Sequence, residues 1–146
     1  MRKNGIRLLK YLEEKNNHRF IFILEEKIII ESASFVHNNI IHLCVSSQAG
    51  CQINCKHCAT TYKEPSFYRN LFYFEINYMI EIILSKMKYQ AKECVLSLSG
   101  HGEPLLNFNN VMKVINSYQY KFNKIFVTTI LPRKISPLIL KEKLNG

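Results

Sequence analysis

The feature that most narrows the folds open to this chain is an alternation of strand-like and helix-like segments through its later part. Residues 40–46 read as a β-strand. Residues 75–88 read as an amphipathic helix, with Ile76, Met79, Ile80, Ile83 and Met87 on one face. Residues 94–99 return to a strand, residues 107–118 align Val111, Val114, Ile115 and Tyr118 on a second helix, and residues 124–130 form a third strand. Ser136, with Pro137 behind it, opens a last short helix. Strands separated by helices in this way become parallel neighbours joined by crossovers. In such folds sites collect where the strands end. Three segments fall there together: a cysteine-rich loop after the first strand, residues 100–104 after the second, and Thr128 and Thr129 after the third.

Ahead of this series, residues 6–14 read as a short helix. Residues 19–24 and 27–35 are β-rich and are split by Glu25 and Glu26, which predicts a hairpin. The expected organisation is an N-terminal helix and hairpin over residues 1–38, followed by a core over residues 39–146.

The cysteine loop carries Cys51, Cys55 and Cys58 in the spacing C-x3-C-x2-C. Three thiolates this close can hold three corners of a cubane iron–sulfur cluster and leave the fourth iron open to a small molecule. Other readings compete. Zinc takes four N or S ligands, and His57 or His101 could supply the fourth. Buried structural thiols rarely come as three in eight residues beside Gly50, Gln52, Asn54 and Lys56. A disulfide framework fits poorly with five cysteines and with a first ten residues unlike a secretory signal, so a reducing cytoplasm is expected.

Length and charge set bounds. A chain of 146 residues is enough for one modest domain with a real core. A formal net charge of +9 suits a polyanion such as RNA, although lysines scattered singly also fit a lysine-rich, AT-biased genome. No apolar run reaches the ~18 residues of a membrane-spanning helix.

The words around the cysteines narrow the reading. LCVSSQAGC (43–51), CKHCAT (55–60), FYRNL (67–71) and GEPLLNFNNV (102–111) occur in that order. Together they resemble the radical S-adenosylmethionine (SAM) enzymes of the dual-specificity RNA methyltransferase family, which methylate adenine at C2 or C8. The resemblance runs over residues 19–132 and implies an α/β fold: a half barrel of parallel strands and helices behind the N-terminal helix and hairpin. It implies a [4Fe-4S] cluster on Cys51, Cys55 and Cys58, and SAM with its methionyl amine near Gly102 and Glu103. The pair Thr128-Thr129 stands, by a loose alignment, where the family carries a hydroxyl-rich segment, and Thr128 is taken as the SAM-binding hydroxyl. His57 stands where the superfamily usually has an aromatic. The cysteine matching Cys44 resolves a protein–RNA adduct in that family by forming a disulfide; read without the resemblance, Cys44 is a strand cysteine of the core. Cys94 matches no functional position.

Departures from the family bear on function. Its members are considerably longer, and no residue here matches the cysteine that carries the methyl group. The expectation is a chain that keeps the cluster and part of the SAM site and acts on ribosomal or transfer RNA, alone or with a second chain that completes the barrel, and that does not complete methyl transfer by itself. The sequence names no electron donor. A non-catalytic cluster- or RNA-binding module is the alternative.

Overall fold

A computed structural model describes residues 5–62 and 65–132. The helix expected from Ser136 lies outside the described residues. Six strands form one mixed sheet in the order β1-β2-β3-β4-β7-β8. They are β1 (Ile6–Glu14), β2 (Asn17–Leu24), β3 (Ile28–His37), β4 (Ile40–Cys44), β7 (Cys94–Leu98) and β8 (Lys124–Val127). The first four pair antiparallel; β4–β7 and β7–β8 pair parallel. A separate two-stranded ribbon, β5 (Gln48–Gly50) with β6 (Phe67–Asn70), follows β4. Helices α1 (Tyr73–Met87) and α2 (Phe108–Tyr118) supply the crossovers expected from the sequence.

Alternation sorts the sheet into two faces. Along β2, Phe20, Phe22 and Leu24 are fully buried while Asn17 and Arg19 are exposed. The buried face continues across register through Ile30 of β3, Leu43 of β4 and Leu96 of β7. Helix α1 covers it with Ile76, Met79, Ile80 and Ile83, and α2 with Val111 and Val114. Each such side chain contributes about 1.5–3 kcal/mol by leaving water. The other face carries Arg19, Ala33, Cys44, Ser97 and Phe126 in one row across the strands.

One expectation is corrected. Residues 6–14 form strand β1, not a helix. A register shift between Leu8 and Lys10 breaks the two-residue alternation and leaves apolar residues at helix-like spacing. Pairing with β2 along nearly its whole length decides the matter, because tertiary ladder bonds outweigh weak local preference. The hairpin is present, and its turn places Glu25 and Glu26 at φ 52° and 59°.

Helix α1 begins where Glu75 turns back to accept the Phe72 amide at 2.8 Å. It ends at Lys88, whose left-handed backbone (φ 56°) lets its amide reach the Leu84 and Ser85 carbonyls.

Candidate iron–sulfur site

The cysteine loop is fastened at its start. Beyond β4, the Val45 amide bonds the Ser97 carbonyl (2.9 Å), and the Ser47 and Gln48 amides share the His101 carbonyl. Strand β5 is buried throughout and delivers Gly50 at φ 80°. A Cβ there would sit 2.3 Å from the Ser66 carbonyl oxygen, so only glycine lets β6 approach. The Cys51 amide then bonds that same oxygen at 2.7 Å. Farther on, the loop folds on itself: the Cys58 amide bonds the Cys55 carbonyl (2.9 Å), and the Thr61 hydroxyl reaches it at 2.8 Å.

Cys51, Cys55 and Cys58 line one cleft of about 200 Å³, and Gly102, Glu103 and Thr128 line the same cleft. The three rim segments expected from the sequence therefore meet. Burial pushes the Cys51 thiol up; hydrogen bonds to the Ile53 and Asn54 backbone pull it down, and the nearby Cys55 and Cys58 thiolates push it up again. Three thiols on one short loop would repel one another once ionised, so the site gains from a cation or an electrophilic metal core. Among the described residues, no three His, Cys, Asp or Glu side chains converge on a single-ion position. Three cysteines of one loop on one cleft are, by their chemistry, the donor set of a three-cornered cluster, which takes one thiolate per iron.

Glu103 is 4% exposed and faces this cleft. Its Oε1 accepts from the Thr129 hydroxyl (2.6 Å) and the Leu105 amide (3.1 Å), and its Oε2 from the Ile130 amide (3.1 Å). Those partners are neutral. A buried carboxylate held by neutral donors gains from a cation, and the cleft is where one can enter. Of the two threonines, Thr129 makes this bond; Thr128 lines the cleft with its amide on the Leu98 carbonyl (3.4 Å).

The two glycines of the rim serve packing. Gly102 has φ 102°, and a Cβ there would lie 2.5 Å from the Gln48 Cβ. Gly102→Ala should cost about 3 kcal/mol through strain and overpacking, read as a lower urea midpoint with unchanged slope. His57 is exposed on the cleft wall, and His101 contributes its backbone carbonyl to the loop.

Cys44 lies outside the triplet's cleft. It lines an adjoining cavity of about 330 Å³ with Arg19, Glu31 and His101, and the two spaces share Cys58, Thr60, Ser99 and Gly100. Burial raises the Cys44 thiol, partly offset by a hydrogen bond to Ser99. Cys94 is fully buried, and its thiol is pushed up to about 11 by burial and by Glu93. Alkylation of native protein at pH 8 should therefore spare Cys94 while the half-buried cysteines react, as peptide mapping will show.

A polar scaffold behind the site went unread in the sequence: Gln48, Asn70, Asn107 and Arg69. Asn107 donates to the Ser47 and Leu71 carbonyls (2.7 Å each), and Asn70 to the Leu106 carbonyl (3.0 Å). The available signal was polar residues standing inside otherwise apolar motif words, two of them asparagines near turns.

A cysteine-bearing loop at the end of a parallel strand, sharing a cleft with a buried carboxylate, is consistent with an iron–sulfur domain, and the chain belongs to the 4Fe-4S single cluster domain family, which matches residues 42–133. More specific likenesses accompany it. The chain is 36% identical over 121 residues to the dual-specificity RNA methyltransferase RlmN of Wigglesworthia glossinidia brevipalpis, covering 77% of this chain and 31% of that protein. It is 34% identical to a probable dual-specificity RNA methyltransferase RlmN of Thermotoga neapolitana, covering 91% of this chain and 41% of the relative. Its fold matches a crystal structure of a radical SAM methyltransferase from Sphaerobacter thermophilus with a TM-score of 0.75 at 20% identity, over 86% of this chain and 39% of that one. The chain spans about a third of the length of the curated relatives it matches.

Proposed function

We propose that this chain is a radical SAM protein of the RNA adenine methyltransferase type. Cys51, Cys55 and Cys58 would hold a [4Fe-4S] cluster, and Glu103 would receive the ammonium group of SAM. The observation that carries the reading is one cleft lined both by the three cysteines and by an enclosed carboxylate with neutral partners. When bound, such a cluster supplies one electron to the sulfonium of SAM.

The chain's own residues then have separable tasks. Glu103 is oriented by Thr129, Leu105 and Ile130 and keeps one lone pair on Oε2 for a ligand N–H. Gly100 and Gly102 keep that wall low. Cys44 sits in the adjoining cavity, where an RNA base would enter and where the thiol would serve its release. That cavity and the cleft share four lining residues, so a base beside Cys44 is next to SAM. The positive charge of the chain favours RNA, ribosomal or transfer. Among the described residues β8 is the outer strand of the sheet, with Phe126 44% exposed, and a second chain that took part in methyl transfer would pair there. We place the protein in the cytoplasm, where a reducing medium keeps its five cysteines out of disulfides; among the described residues no helix is long and apolar enough to cross a membrane.

Anaerobic reconstitution with iron and sulfide tests this. About four irons per chain, and 5′-deoxyadenosine released from SAM under a strong reductant, are expected. One tightly held zinc and no SAM cleavage would overturn it.

A further inference from the structure

Gln48 sits at the centre of the site without touching the cleft. Its side chain is completely buried and reaches in two directions. Its Oε1 accepts the Glu103 amide at 2.9 Å. Its Nε2 donates to Asn70 Oδ1 at 2.7 Å and to Gln52 Oε1 at 3.3 Å. Gln52 is the residue after Cys51, so one amide group spans from the cysteine loop to the backbone of the carboxylate. Its stem is held flat against Gly102.

We propose that Gln48 is a positioning residue that fixes the separation between Cys51 and Glu103, so that cluster and SAM ammonium are held in register. The proposal rests on the cluster-and-SAM reading given above. Its physical basis is complementarity: the site needs one acceptor toward the Glu103 amide and donors toward Asn70 and Gln52, and a carboxamide has both. Methionine fills the same volume with neither. A glutamate carboxylate lacks the donor and would oppose two acceptor oxygens; protonated, it regains one donor.

The experiment compares wild type, Gln48→Met, Gln48→Glu and Gln52→Ala after anaerobic reconstitution. Iron content and circular dichroism report folding and cluster uptake. Calorimetry reports the Kd of SAM, and the electron paramagnetic resonance of the reduced cluster reports whether SAM perturbs it. Gln48→Met should keep its iron and fold yet bind SAM about tenfold more weakly, a change of ~1.4 kcal/mol, with the SAM-induced spectral change diminished. Gln48→Glu should bind weakly at pH 8 and recover toward wild type as the pH falls to 6, which a merely structural role would not produce. Gln52→Ala, at an exposed position, should fold normally and show a smaller loss in the same direction. In cluster-free protein, the Glu103 amide should exchange hydrogen faster in Gln48→Met than in wild type. Wild-type SAM affinity in folded Gln48→Met, or loss in Gln48→Glu that pH does not reverse, overturns the proposal while leaving the functional reading intact. Wild-type protein that takes up no cluster overturns both.

Discussion

Cys51→Ala protein should emerge from reconstitution with its iron reduced from about four per chain to well under one, and with the cluster's visible charge-transfer absorption lost. Two thiolates cannot hold a cube against loss of iron to buffer chelators, so uptake should collapse rather than fall by a third. The fold should survive the change. Cys51 is only half-buried, its amide bond to the Ser66 carbonyl is kept, and Gly50 still sets the direction of the loop. Cys94→Ala is the matching control. That side chain is in the core, so it should cost stability and leave the iron content alone. Equal iron in wild type and Cys51→Ala would refute the triplet as the cluster's holder.

Arg69→Met should lower stability by about 3–5 kcal/mol, the largest single loss expected from a residue away from the cleft. The guanidinium grips Glu75 with two bonds of 2.9 and 2.8 Å, and Glu75 is only 1% exposed. It also bonds Glu25 at 3.1 and 2.9 Å and the Asn70 carbonyl at 2.9 Å, and it lies 4.9 Å from the centre of the Phe72 ring. One side chain thus ties the first hairpin, β6 and the start of α1 together. Removing it strands a buried carboxylate, which is the costly part. Arg69→Met combined with Glu75→Gln should regain much of the loss, because the second change removes the stranded charge.

The pH dependence has a definite sign. Tyr68 and Arg69 hold the Glu25 carboxyl below its ordinary value of 4.5. A carboxyl lowered in the fold stabilises above its unfolded value and stops doing so as acid protonates it. The gap between wild type and Arg69→Met should therefore narrow as pH falls through and below 4.5, measured by urea denaturation in parallel. A constant gap would show that packing, not charge, carries the effect.

Much of the site was legible in the chain because it depends on short-range order. The cysteine spacing, the glycines around His101 and the position of each motif after a strand are local properties, and parallel strands bring strand ends to one rim whatever the details. Hence Cys51, Cys55, Cys58, Gly102, Glu103 and Thr128 line one cleft. Strand β1 was not legible, since a bulge disguised its alternation and its pairing partner β2 decided its state. Nor was β5, three residues long and without period, which exists because β6 pairs with it.

The amino-acid sequence by itself determined which groups could do chemistry and roughly where each would stand. Only the tertiary structure decided how they are held. Gln48 and Arg69 each join segments more than twenty residues apart, and a hydrogen bond across such a distance leaves no periodic trace in the chain. The same reason assigns the bond on Glu103 to Thr129 instead of Thr128: adjacent hydroxyls are equivalent in sequence and differ only in the direction the backbone points them.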